Sequence, residues 1–184
     1  VLYMLDLAGI PLRAEDRGDD LKAWPLIALG GGCTICAEPL APFMDLMILG
    51  EAEVTLPALL ELLRQARREG WSKTEFLLQS RHLPGIYVPS LFEQAANGSL
   101  RHLLEDYLEV KRQAVKDCRT TWYPVRQVMP IGAVHNRLSL EIARGCTRGC
   151  RFCQAGMTTR PSRERDVQDV VRLLDECLQS TGYE

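Results

Sequence analysis

Apolar positions along this chain change their spacing several times, and each change marks an element. "VLYMLDLAG" sets Leu2, Leu5 and their apolar neighbours as a buried helix, with Gly9 at its C-terminal stop. "PLIALGGG" is a short apolar run closed by three glycines, the pattern of a buried parallel strand and the tight loop after it. "DLMILGEAE" repeats that pattern, with a strand over 45–49 and a turn at Gly50. In "VTLPALLELLRQARREG" the spacing becomes helical, with Leu56, Leu59, Leu60 and Leu63 on one face and Gly70 ending the helix. "SKTEFLLQSRH" predicts a shorter helix and "GIYVPSLF" a strand. Strands alternating with helices argue for a parallel α/β layer.

From 94 to 136 the periodicity fades. "AANGS" contains Asn97-Gly98, a hairpin turn signal. "LRHLLEDYLEVKRQAVKD" is compatible with a helix or an extended segment, and "TTWYPVRQVMPIGA", with Pro124 and Pro130, reads as a linker. "RLSLEIA" then alternates Leu138, Leu140 and Ile142 against polar residues, as a half-buried strand does. After "TTRPSRER", a helix follows through Val167, Val170, Val171, Leu174 and Leu178, with Asp166 as its N-cap. Strand, long loop and helix make one βα unit, which carries its chemistry in the loop beyond the strand.

Composition narrows the picture only slightly. The 184 residues suffice for one large domain or two small ones. A net charge of −2 gives no general pull toward nucleic acid or an anionic membrane. No apolar run approaches the roughly 18 residues of a membrane span. The first residues carry Asp6 and no basic leader, so they do not read as a signal peptide. Both ends look cut from a longer protein. Seven clustered cysteines without an export signal point to a reducing cytoplasm and to metal or redox chemistry.

The chemistry concentrates in "GCTRGCRFCQAG", residues 145–156. Cys146, Cys150 and Cys153 are spaced C-x3-C-x2-C, three thiolates on one short loop. Three thiolates can hold three irons of a [4Fe–4S] cubane and leave the fourth open, whereas common ferredoxins supply four. Gly145 and Gly149 relieve the backbone around such a cluster, and Arg144, Arg148 and Arg151 bring positive charge beside the sulfurs. A zinc knuckle would need a fourth ligand. His135 and Cys177 lack the usual spacing, and Cys177 falls on the apolar face of its helix. A plain electron-transfer cluster would need another cysteine, such as Cys118.

Cys146, Cys150, Phe152 and Cys153 in C-x3-C-x-aromatic-C resemble the signature loop of radical S-adenosylmethionine (radical SAM) enzymes. The resemblance implies that the open iron chelates S-adenosylmethionine. It also implies that Phe152 lies near the adenine, and that a flavodoxin- or ferredoxin-type reductase supplies the electron. "PLIALGGGCTICAEPLAPFMDLMILGEAEVTLPALLELL" resembles the later half of the cobalamin-binding-like domain that precedes many radical SAM barrels. The two stretches in this order are similar to a bacterial family of cobalamin-binding-domain radical SAM proteins of unassigned substrate. Cobalamin does not follow, because His82, His102 and His135 are the only histidines and none sits in an Asp-x-His-x-x-Gly pattern.

The fold class expected is therefore α/β in three parts. Residues 1–93 are the end of a Rossmann-like domain, 94–131 a connector, and 132–184 the start of a partial (β/α) barrel. The glycine-rich segment and substrate pocket would lie past Glu184, so this piece alone is expected to be inactive. A methylthiotransferase shares the cysteine loop but needs three further cluster cysteines, for which Cys33, Cys36 and Cys118 are poorly spaced. An iron–sulfur or zinc interaction module is the non-enzymatic alternative. Cys33 and Cys36 form a C-x-x-C after a strand, a spacing found in thioredoxin-like redox pairs and in half of a zinc site, whose simplest reading here is two small residues packing a loop. Glu51 and Glu53 are read as helix-capping carboxylates and "RPSRER" as a solvated basic loop.

Overall fold

The computed structural model describes residues 1–107, 109–127 and 137–182. The chain folds as two compact units, 1–114 and 115–184.

The first unit is built on a three-stranded sheet in the order β1 (Ala28–Leu29), β2 (Leu46–Ile48), β3 (Ile86–Tyr87). β1 and β2 pair in parallel. β3 pairs antiparallel to β2, with Ile48 opposite Ile86, so the all-parallel layer expected from sequence is corrected here. Two helices lie between these strands, α2 (Ala52–Glu69) and α3 (Lys73–Ser80). The second returns the chain to the end of the sheet where β2 finished, and β3 must then run the other way.

β2 is apolar at every position because both of its faces are covered. Leu46 and Ile48 pack with Leu59, Ala66, Phe76 and Leu77 of the helices, while Met47 packs with Met44 and Tyr87 on the other side. The helix face that meets the sheet runs through Thr55, Leu59, Leu62 and Ala66. Leu56 and Leu60, expected on that face, are exposed. The stripe is displaced because Thr55 turns inward and donates its hydroxyl to Pro84 O at 2.7 Å, which a hydrophobic pattern does not register. Gly70 ends α2 in the left-handed conformation, and Ser72 and Glu75 form a capping box on α3. Glu51 occupies the N-cap position of α2 and Glu53 its first turn, where an acidic side chain suits the helix dipole, but the Glu51 side chain makes no capping hydrogen bond.

α1 (Leu2–Leu7) buries only Leu5, while Tyr3, Met4 and Leu7 are exposed, so the helix is real but not a buried one. Sequence periodicity also misses a buried cation. Arg17 donates to the carbonyls of Pro11, Leu12 and Phe43 and pairs with Asp45 at 3.2 Å.

The hairpin predicted at Asn97-Gly98 is present, with β4 (Phe92–Gln94) antiparallel to β5 (Leu100–His102) and Gly98 at φ 82°. Tyr107 then returns to the sheet. Its buried hydroxyl accepts from Val88 N at 3.0 Å and donates to Ile86 O at 3.1 Å, which satisfies the outer edge of β3. Burial pushes the Tyr107 phenol up, against the lowering pull of the Val88 amide and Arg81. Gln113 bridges to Gly50, whose φ of 98° and whose missing Cβ, only 2.1 Å from Gln113 O, both demand glycine.

In the second unit, β6 (Ala143–Arg144) pairs antiparallel with β7 (Arg163–Glu164). Of the strand expected over 137–143, only Ala143 lies in a strand. Leu138 and Leu140 turn partly inward, but Ile142 is exposed. Alternation prescribes which side faces in; a strand also needs a partner for its N–H and C=O groups. Helix α5 (Val167–Thr181) forms as expected, with Asp166 accepting from Gln168 N at 2.8 Å and Gly182 ending it. Leu173 and Cys177 are its buried residues, whereas Val167, Val171 and Leu174 are exposed. Among the described residues, no helix is long and apolar enough to cross a membrane.

Candidate functional site: the cysteine loop

The loop between β6 and the short helix α4 (Ala155–Thr158) holds Cys146, Cys150 and Cys153. Cys150 is exposed and the other two are half-buried; all three are free thiols. Cys153 N donates to Cys150 O at 3.1 Å, which closes a turn across the C-x-x-C half of the motif. Two sulfurs already accept backbone hydrogen bonds: Cys146 from Arg148 N at 3.4 Å and Cys153 from Gly156 N at 3.3 Å. Such N–H···S contacts stabilise sulfur that carries negative charge, as thiolate ligands do.

Gly145 has φ 80°, and a Cβ there would meet Pro161 O at 2.5 Å and Thr159 O at 2.7 Å. Its role is to let the loop start against its own return strand rather than to clear room for a bound group. Gly149 has open space around it. Gly156 faces the sulfur directly, its missing Cβ 3.5 Å from Cys153 Sγ. Phe152 is 93% exposed.

Of the arginines read from sequence as solvated, Arg160 is exposed, whereas Arg163 and Arg165 are buried, and for these two the expectation is corrected. Arg160 donates to Gly156 O at 2.9 Å and Arg148 O at 3.3 Å, spanning the loop. Arg163, buried, donates to the carbonyls of Val115, Thr159 and Pro161. Arg165, also buried, donates to Glu141 O at 3.0 Å and Thr121 Oγ1 at 2.7 Å, pairs with Asp169 at 3.0 Å, and lies 5.9 Å from the Tyr123 ring centre. Carbonyls need donors wherever water is excluded, and one guanidinium carries five. A sequence signal did exist: Arg163 and Arg165 stand two apart, the spacing that puts side chains on one side of an extended segment. Arg172 first, and Arg165 with it, hold the Asp169 carboxyl below the usual carboxylate range. Of the flanking cations, Arg144 is turned to Glu141 at 2.8 Å rather than left free beside the sulfurs.

Neither alternative fourth ligand is positioned for that role. Cys177 is fully buried in α5, and burial pushes its thiol up. Cys118 is buried and donates to Arg163 O at 3.8 Å. His135 lies outside the described residues. Among the described residues, no group of three His, Cys, Asp or Glu side chains closes on a single metal position. Chemically this loop offers three soft donors, two already solvated by backbone N–H groups, and an open side where Cys150 and Phe152 face solvent.

Residues 1–89 match the family described as radical SAM proteins, N-terminal. The match supports a radical SAM protein, and it falls on the unit that does not contain the cysteine loop. The chain is also similar to an uncharacterized protein, MJ0966, of Methanocaldococcus jannaschii. The two are 29% identical over 153 residues, which cover 82% of this chain and 28% of the relative. The chain thus spans little more than a quarter of the length of that curated relative. No solved structure matches.

Proposed function

We propose that this chain is part of a radical SAM enzyme whose cluster is held by Cys146, Cys150 and Cys153. The observation that carries the reading is the trio of cysteines on one loop, with backbone N–H groups directed at two of the sulfurs. Their failure to share a single point is compatible with it, since a cubane takes one cysteine per iron and spreads its ligands over three corners. When bound, such a cluster supplies an open iron for S-adenosylmethionine and the electron that cleaves it to a 5′-deoxyadenosyl radical.

The protein's own residues have separable tasks. The three cysteines hold the metal, and the amides of Arg148 and Gly156 solvate the sulfurs. Arg160 ties the two arms of the loop together through backbone carbonyls. Phe152, exposed on the open side, is proposed to lie near the adenine of the bound nucleoside. A flavodoxin- or ferredoxin-type reductase is the proposed electron source. Residues 1–93 are proposed as the later part of a cobalamin-binding-like Rossmann-type domain, 94–131 as a connector and 132–184 as the opening of a partial barrel; the parallel β1–β2 pair supports the first assignment. Cobalamin itself has no histidine motif to support it.

Anaerobic reconstitution with iron and sulfide tests the proposal. We expect about four irons per chain, a broad visible absorbance, and a reduced-state spin signal that shifts when S-adenosylmethionine is added. Cys146→Ala, Cys150→Ala and Cys153→Ala should each lose most of that iron. A colourless protein holding one tight zinc would overturn the proposal.

A further inference from the structure

The C-x-x-C of the first unit is not used by the proposed radical chemistry. Cys33 and Cys36 lie on the 3-10 turn Gly32–Cys36 that follows β1, and both are free and exposed. Between them Thr34 is buried and donates its hydroxyl to Gly31 O at 2.6 Å and Ile48 O at 3.3 Å. The turn is therefore pinned to the sheet from the inside, with its two thiols left on the outside. A 3-10 turn has three residues per turn and rises about 2.0 Å per residue, so positions i and i+3 eclipse about 6 Å apart. That separation falls within the roughly 4.4–6.8 Å between Cα atoms that a disulfide spans. Beyond the turn, a cavity of about 750 Å³ is lined by Ile35, Cys36, Leu49, Phe92 and Val110, and leaves Cys36 open to an incoming reagent.

A structural zinc is the competing use of such a pair, but zinc needs four ligands. Among the described residues, no third His, Cys, Asp or Glu joins the pair to hold a metal. We propose that Cys33 and Cys36 form a reversible dithiol–disulfide couple whose oxidant is a low-molecular-weight disulfide of the glutathione class. One thiolate attacks the reagent's disulfide and releases one thiol as leaving group. The second then attacks the mixed disulfide and releases the other. The pair gives up two electrons and two protons, and the reagent is reduced to two thiols.

The test uses the whole chain incubated anaerobically with oxidised glutathione, then alkylated and digested with trypsin. Cleavage after Lys22 and Arg64 releases a fragment that carries Cys33 and Cys36 and no other cysteine. The expected fragment is unalkylated and two hydrogens lighter, and dithiothreitol restores two alkylatable thiols. In Cys36→Ser, Cys33 should instead keep glutathione as a stable mixed disulfide. A native fragment with both thiols alkylated, or with glutathione on each, overturns the proposal. So does a bound zinc whose removal is required before either thiol reacts. None of these outcomes depends on iron at the other cysteines, so the couple and the radical SAM reading fail separately.

Discussion

Both units of this chain bury an arginine bonded to three backbone carbonyls, Arg17 in the first and Arg163 in the second, but they differ in how much apolar core surrounds it. In the first, β2 is sandwiched between apolar layers, and Leu46, Met47, Phe76, Ile86 and Val88 are all but inaccessible. In the second, the buried side chains among the described residues are few, and two of them are arginines. Burial of apolar surface is non-directional and tolerates a range of sequences. A guanidinium bonded to three carbonyls fixes backbone positions individually, because each bond has its own direction. The contrast suits the tasks. A layer that supports loops needs bulk, while a loop that must present three sulfurs needs its carbonyl arms held in place.

That contrast can be broken by substitution. Phe76→Ala should have the largest effect, about 3–5 kcal/mol for emptying a fully buried aromatic site. Urea unfolding followed by tryptophan fluorescence would show the loss, and an effect under about 1 kcal/mol would contradict a sandwich-packed β2. Arg165→Met keeps the volume and removes the donors. It should cost about 1–3 kcal/mol for each carbonyl or hydroxyl left buried without a partner, and it should raise hydrogen exchange around Thr121 and Glu141. If Arg165→Met is neutral, apolar packing holds the second unit as it does the first.

The smallest effect concerns pH. Asp169 titrates below the usual carboxylate range in the folded chain, principally through its bond to Arg172 and then to Arg165. Its ionised form therefore favours folding. That contribution is fully present above the ordinary carboxylate pKa and is lost as the pH falls through the lowered folded value. Acid titration of Asp169→Asn against the unsubstituted chain, read by circular dichroism, should show a smaller loss of stability below about pH 4 in the variant. Equal acid sensitivity would remove Asp169 from the account.

The sequence by itself determined the elements whose signals are local. The hairpin at Asn97-Gly98, the cap at Asp166, the stop at Gly70, and the cysteine trio all follow from one or a few adjacent residues. Tertiary structure alone decided which way β3 runs, because direction depends on how α2 and α3 fold back together. It also decided which stripe of α2 is buried, since Thr55 turns inward only where Pro84 O offers a partner. Arg163 and Arg165 of "RPSRER" are the sharpest case. The i, i+2 spacing sets Arg163 and Arg165 on one side of the segment, but it does not say whether that side is buried; only the carbonyls gathered from Val115, Thr121 and Glu141 make burial favourable. Partners distant in the chain cannot be read from a local pattern, and a buried charge is explained by its partners.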